Sequence, residues 1–298
     1  MIKKDDMKNL TERIAQIHDD HEHGSRWLVR QTIDLLHDLA VEPTLSPTEQ
    51  LQIVRHAGRE LAHIRPAMAA LAGAVGRILG APGGLDSMAN AAKQLLHANE
   101  QAIAHITTFA RPYLQGTIMT HSLSGTVLEV FGACIPPVTE VIILEGRPLY
   151  EGRTTAKSLN RQAVQLTLIT DAQADIFLPM CQAVVVGADS LLADGSVLNK
   201  AGTALLARAA QGYNVPFYVL SETLKISPRA WSGDLAWLEE QSASEVWPEP
   251  VPGVTVRNFY FDRTPANLIT GIITEAGLLD SAAIGRYATQ LQQVPELG

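Results

Sequence analysis

Residues 184–203 read VVVGADSLLADGSVLNKAGT, one tight segment that holds a carboxylate, a lysine and several small residues. The apolar run from Ala183 to Val186 leads into Gly187, Ala188 and Asp189. A short continuous apolar run of this kind is the signature of a strand buried on both faces of a parallel sheet. Its last residue then carries a charge to the C-terminal edge, where open α/β folds place their ligands. Asp189 is therefore a site candidate, with a turn-capping aspartate as the competing reading. After the turn residues Asp194 and Gly195, the segment from Asn199 to Thr203 is expected to open an Ala/Leu-rich helix, Ala204 to Ala210. Lys200 and free backbone N–H groups would then converge at a helix N-terminus, a good place for an anion.

The same pattern recurs on both sides of this stretch. Thr117 to Met119, Val141 to Leu144, Leu166 to Thr170 and Pro216 to Leu220 are further β-rich runs, separated by helical segments. Strands alternating with helices at this spacing imply βαβ units and a doubly wound parallel sheet. In such a sheet the strand ends share one side, so His121, Ser122, Arg147, Asp171, Asp189, Lys200 and Lys225 are expected around one crevice. Cations beside carboxylates suit a phosphorylated ligand and proton transfer. Before Gly116 the apolar spacing is helical, from Leu28 through Leu36, from Leu51 through Leu61, from Met68 to Leu79 and from Leu85 to about Phe109. The expected division is a helical domain over 1–112 and a Rossmann-like α/β domain over 113–298.

Composition narrows the function classes. A chain of 298 residues is long enough for a full core and two domains. A formal net charge of −8 argues against direct nucleic-acid binding or an anionic membrane reached through bulk electrostatics. Two cysteines, Cys134 and Cys181, without metal-like spacing, fit buried small hydrophobes in a reduced, cytoplasmic protein. The opening MIKKDDMKNL has no apolar signal core, and no run approaches the roughly 18 apolar residues of a spanning helix. His18, His21 and His23 stand among Asp19, Asp20 and Glu22, and the spacing reads as a solvated polar turn, with no metal expected. No cofactor is expected either.

The segments TIMTHSLSGTVLEVF (117–131), VIILEGRPLYEGRTTAKSL (141–159), VVVGADSLLADGSVLNKAGT, VPFYVLSETLK (215–225) and FDRTPANLITGIITEAG (261–277) resemble the family of translation initiation factor 2B alpha, beta and delta subunits. That family also contains methylthioribose-1-phosphate isomerase and ribose-1,5-bisphosphate isomerase. The resemblance covers most of residues 20–280. It implies substrate-binding roles for Gly24 and Ser25, for Arg65 followed by Pro66, and for Asn199, Lys200 and Lys225, and catalytic roles for Asp189 and the residue at Ser122. Arg147 joins the binding set, with a structural arginine between strand ends as its other reading. His121 reads either as a loop-shaping hydrogen-bonding residue or as a direct participant.

Ser122 is a departure, because both isomerases carry a cysteine there and a hydroxyl exchanges protons poorly without a strong neighbouring base. Two functions follow. One is an aldose–ketose isomerase of a ribose 1-phosphate derivative or ribose 1,5-bisphosphate, with Asp189 as general acid/base and Arg65, Lys200 and Lys225 on phosphate. The other is a non-catalytic regulatory subunit that binds a sugar phosphate or nucleotide effector and a protein partner. The resemblance further implies a homo-oligomer, dimer or hexamer, with apolar residues among Phe261, Leu268, Ile269, Ile272 and Ile273 available for the interface.

Overall fold

A computed structural model describes residues 4–20, 24–44 and 46–291. The first third is helical: α1 (Lys4–His18), α2 (Ser25–Val41), α3 (Pro47–His63), α4 (Ala69–Leu79) and α5 (Leu85–Ala110). Helix α3 starts at Ser46, whose hydroxyl accepts from Glu49 N–H while the Glu49 side chain returns to the Ser46 backbone. This reciprocal cap satisfies two donors that a helix start leaves unpaired. The apolar stripes of these helices close on one core that includes Leu28, Ile33, Leu36, Val54, Leu61, Leu71 and Ile78. Each such side chain stabilises the fold by on the order of 1.5–3 kcal/mol.

From Gly116 the chain alternates between strands and helices: β1 (Gly116–Thr120), α6 (Gly125–Ala133), β2 (Val138–Leu144), α7 (Glu151–Leu159), β3 (Gln165–Ile169), α8 (Ala174–Phe177) and β4 (Ala183–Val186). Then come β5 (Ser190–Leu191), β6 (Val197–Lys200), α9 (Thr203–Gly212), β7 (Phe217–Leu220), β8 (Phe261–Thr264), β9 (Gly271–Thr274), β10 (Gly277–Leu279) and α10 (Ser281–Leu291). Among the described residues the strands build a seven-stranded sheet in the order β10-β9-β7-β4-β1-β2-β3, and a three-stranded sheet, β5-β6-β8. All pairings in the larger sheet are parallel except β10 on β9. The chain is thus a helical region followed by a doubly wound, mostly parallel sheet.

Period-two alternation divides the sheet between two cores. Ile118, Val141, Ile143, Val185 and Leu220 face one layer with Val127, Val130 and Phe131 of α6 and Ile103, Ile106 and Ala110 of α5. Met119, Ile142, Val184, Val186 and Val219 face the other with Leu206, Ala207 and Ala210 of α9 and Ile284 of α10. Helix α5 serves both the helical core, through Met88, Ala92 and Leu95, and the sheet, through its last turns. That shared helix fixes the helical region over the sheet's edge.

Three sequence expectations are corrected here. Asn199 and Lys200 end strand β6 and do not begin a helix, because Leu198, Asn199 and Lys200 pair with Arg263, Asp262 and Phe261 of β8. The N-terminus of α9 is not open to an anion: Asp262 accepts from Gly202 N–H at 2.7 Å and from Ala204 N–H at 3.1 Å. The protein supplies its own carboxylate at that helix end. Phe261, Leu268, Ile272 and Ile273 are 0–8% exposed, and half-buried Ile269 packs against the core that holds Leu268 and Ile272, so the four are interior residues and not a free surface.

Candidate active site

Strand β1 sends the chain to β2 on one side, and β4 is laid down on its other side. The order reverses between β1 and β4, and a crevice opens outside their C-terminal ends. Two glycines let the elements close tightly around it. A Cβ on Gly187, just after β4, would stand 2.6 Å from Ser124 Oγ, so the exit of β4 passes directly against the start of α6. A Cβ on Gly152 would stand 2.0 Å from the Leu144 carbonyl, so only glycine lets the first turn of α7 abut the end of β2. This approach delivers Glu151 to the cavity wall.

The crevice, roofed by the starts of α2 and the middle of α5, forms a cavity of about 540 Å³. Gly24, Ser25, Arg65, Ser122, Asp189, Asn199, Lys200 and Lys225 all line it. Two helix N-termini face it: Gly24 and Ser25 at the start of α2, and Ser124, Gly125 and Thr126 at the start of α6. Gly24 has no side chain to cap α2, and Ser124 satisfies only Val127 N–H, so these ends keep donors and positive partial charge for a ligand. The helix starts that face the cavity are therefore those of α2 and α6, in place of α9.

Asp189 stands on the cavity wall just beyond the end of β4. Burial pushes its carboxyl up to about 6; Lys225 opposes the shift, Glu151 and Glu239 add to it and Lys200 opposes it. Lys225 Nζ donates to the Ala188 carbonyl at 2.8 Å and lies 3.4 Å from Glu222 Oε2. Glu222 is buried and accepts from the Thr126 hydroxyl at 2.7 Å. Burial works to raise the Glu222 carboxyl, but Lys225 and then the Thr126 hydroxyl hold it below the usual carboxylate range. Lys225 thereby ties the loop of Asp189 to the first turn of α6.

Lys200 is 3% exposed, and its Nζ lies 3.0 Å from Glu151 Oε1 and 4.2 Å from the centre of the Tyr260 ring. The approach to Glu151 lacks hydrogen-bond geometry, so the ammonium still has N–H donors to offer an anionic oxygen. Asn199 Nδ2 donates to the Thr203 hydroxyl at 3.0 Å, which fixes the turn after β6. Arg65 lines the cavity rim with its guanidinium on the carbonyls of His18, at 3.1 Å, and Asp20, and 3.3 Å from Glu239. Ser122 has φ of +73°, a left-handed conformation unfavourable for a residue with a Cβ. It turns Oγ onto Glu151 Oε2, to which it donates at 2.9 Å.

Three expected members stand apart from the cavity. His121 is 1% exposed and donates from Nε2 to the Ala201 carbonyl at 3.0 Å. Burial lowers its pKa, so it is a neutral ring behind the site. Arg147 donates to the Tyr150 hydroxyl at 2.6 Å and the Val246 carbonyl at 3.0 Å. Asp171 accepts from the N–H groups of Gly146 and Arg147 at 2.8 and 2.9 Å. The last two follow β2 and β3, which lie beyond the reversal point on one flank of the sheet. Glu151 and Tyr260 line the cavity and the strand-end reading missed them; the signal for Glu151 was its place before Gly152 at a helix start. Among the described residues no group of three metal-capable side chains could hold an ion, and His21 and His23 lie outside the described residues.

The initiation factor 2 subunit family model matches residues 21–281, and the chain belongs to that family. It is 42% identical over 167 residues to a ribose 1,5-bisphosphate isomerase of Archaeoglobus fulgidus, a match that spans 55% of this chain and 53% of that one. It is 30% identical to a ribose 1,5-bisphosphate isomerase of Methanocaldococcus jannaschii over 94% of both chains. Among solved structures it is similar to the translation initiation factor eIF-2B of Pyrococcus horikoshii, with a TM-score of 0.80 and 31% identity, over 91% of this chain and 97% of that one.

Proposed function

We propose that this member of the initiation factor 2 subunit family is a sugar-phosphate isomerase that converts an aldose to a ketose on a phosphorylated pentose, a ribose 1-phosphate derivative or ribose 1,5-bisphosphate. The observation that carries the reading is the convergence on one cavity of two helix N-termini, Lys200 and a carboxyl that still holds its proton near pH 6. Phosphate oxygens meet the N–H groups at the starts of α2 and α6 and the ammonium of Lys200. Asp189 gives its proton to the ring oxygen as the ring C–O bond breaks, since a phosphate on C1 prevents spontaneous opening. Lys225 and Arg65 hold the loops that carry Asp189 and the rim, and Gly24, Ser25 and Asn199 complete the binding surface.

The relative of Methanocaldococcus jannaschii named as a ribose 1,5-bisphosphate isomerase supports this reading over 94% of the chain. Following C1 and C2 of candidate pentose phosphates by NMR tests it: wild-type turnover that is lost in Asp189→Asn is expected, with ligand binding retained. No turnover of any tested sugar phosphate would overturn it. A second reading, a regulatory subunit that binds a sugar phosphate or nucleotide without converting it, is favoured by one feature, the hydroxyl of Ser122 where the isomerases have a thiol. In that case the wild type binds and does not convert, and Asp189→Asn alters affinity alone.

We also read the protein as a cytoplasmic homo-oligomer, a dimer or hexamer. Cys134 and Cys181, both free and buried, suit a reducing compartment. No described helix is long and apolar enough to cross a membrane.

A further inference from the structure

Ser122 poses a chemical problem for any proton-transfer role, since an isolated hydroxyl neither gives nor takes a proton readily near neutrality. We propose that Glu151 is the base of this site and acts through Ser122, the two side chains forming a proton relay in place of a thiol. The inference rests on the isomerase reading given above.

Four observations lead to it. The Ser122 hydroxyl spends its one proton on Glu151 Oε2 at 2.9 Å, so the donor side of the relay is already formed. The same oxygen receives Leu123 N–H at 3.3 Å, which fixes the carboxylate relative to the serine backbone. Lys200 Nζ stands 3.0 Å from the other oxygen and supplies the counter-charge. Ser122 holds the left-handed backbone conformation that makes this contact, and such a conformation in a residue with a Cβ persists where the surroundings enforce it. Both residues line the cavity that contains Asp189.

The proton inventory of the reaction gives the pair its task. Converting an aldose with a C1 phosphate to a ketose turns the C2 hydroxyl into a carbonyl, moves the C2 hydrogen to C1 and leaves a free hydroxyl at the former ring oxygen. Asp189 supplies the proton for that oxygen. The C2 hydroxyl must lose one, and it passes to Ser122 Oγ as the Ser122 proton moves to Glu151. The C2 hydrogen travels to C1 with its electron pair as the C2–O bond becomes double. Glu151 ends protonated and Asp189 ionised, and exchange with water restores both.

Kinetics and titration of Glu151→Gln, Glu151→Asp, Ser122→Ala and the Glu151→Gln/Ser122→Ala double variant test this. Glutamine keeps the shape and can still accept from Ser122, but cannot take its proton. We expect kcat to fall by about 100-fold or more in Glu151→Gln, with KM changed far less, and to recover in part in Glu151→Asp. The acid limb of the kcat profile should vanish in Glu151→Gln, and the double variant should be no slower than its slower parent. NMR of the Asp189 carboxyl should show its titration displaced downward in Glu151→Gln, because a negative neighbour has been removed; this also reports an intact site. Wild-type turnover with Glu151→Gln within about 3-fold in kcat, or additive losses in the double variant, would overturn the relay and leave the isomerase reading standing. An absence of wild-type turnover would overturn both.

Discussion

Asp189 is destabilising in its charged form, and its substitution separates stability from function. A carboxyl whose pKa rises on folding from 3.8 to about 6 binds its proton more tightly in the native state, so this contribution to stability is present at low pH and is lost as pH climbs between those values. The full penalty above pH 6 is on the order of 3 kcal/mol. Asp189→Asn should therefore raise the melting temperature at pH 7.5 relative to wild type and give little change at pH 4, while turnover disappears. Equal melting temperatures at pH 7.5 would mean that the site is wetter than its geometry indicates. The two lysines should also differ from each other. Lys225→Met leaves buried Glu222 without its cation and should destabilise the fold by about 3 kcal/mol, measured by urea titration. With phosphate on Lys200 as proposed, Lys200→Met removes a charge-assisted contact, so calorimetry with ribose 1,5-bisphosphate, ribose 5-phosphate and AMP should show one to two orders of magnitude weaker binding, from roughly 1.5–3 kcal/mol.

The helix ends divide into those the protein satisfies itself and those left for a ligand. Asp262 closes α9, and its own carboxyl is pushed up to about 6 by burial, with the Gly202 and Ala204 N–H groups acting against the shift. Asp262→Ala should cost roughly 1–2 kcal/mol of stability in a thermal melt and have far less influence on phosphate affinity than Lys200→Met. A larger effect on phosphate binding than on stability would place the anion at α9 after all. At α6 the sign is reversed, because its N–H donors face the cavity and a bound phosphate should raise the melting temperature by mass action.

At the scale of the whole molecule, Phe261, Leu268, Ile269, Ile272 and Ile273 belong to β8, β9 and their connection, so the homo-oligomer proposed above would use other side chains. Ile176, Leu205 and Met180 are 66%, 70% and 52% exposed, and α8 and α9, which carry the first two, pack side by side. Isolated exposed aliphatics are ordinary; several on adjacent elements suit subunit contact. Light scattering across the micromolar range should give a mass that is a multiple of 32.2 kDa, and a monomer throughout would remove the homo-oligomer from the reading.

Local chemistry by itself determined the helices before Gly116 and the five strands β1, β2, β3, β4 and β7, because a 3.6-residue stripe or a fully apolar short run can bury itself in only a few ways. It also marked Asp189 and Ser122, since a charge or hydroxyl at the end of a buried strand has one edge to occupy. Tertiary structure alone decided which strand ends share the crevice. Arg147 and Asp171 have the same local signature as Ser122 and Asp189, yet strand order puts only β1 and β4 at the reversal point. It also decided which helix N-terminus is free, because the carboxylate that fills α9 comes from Asp262, 59 residues beyond Thr203 in the chain and brought there by the pairing of β6 with β8. The contact of Glu151 with Ser122 spans 29 residues and depends on the close approach at Gly152, a distance that no local pattern encodes.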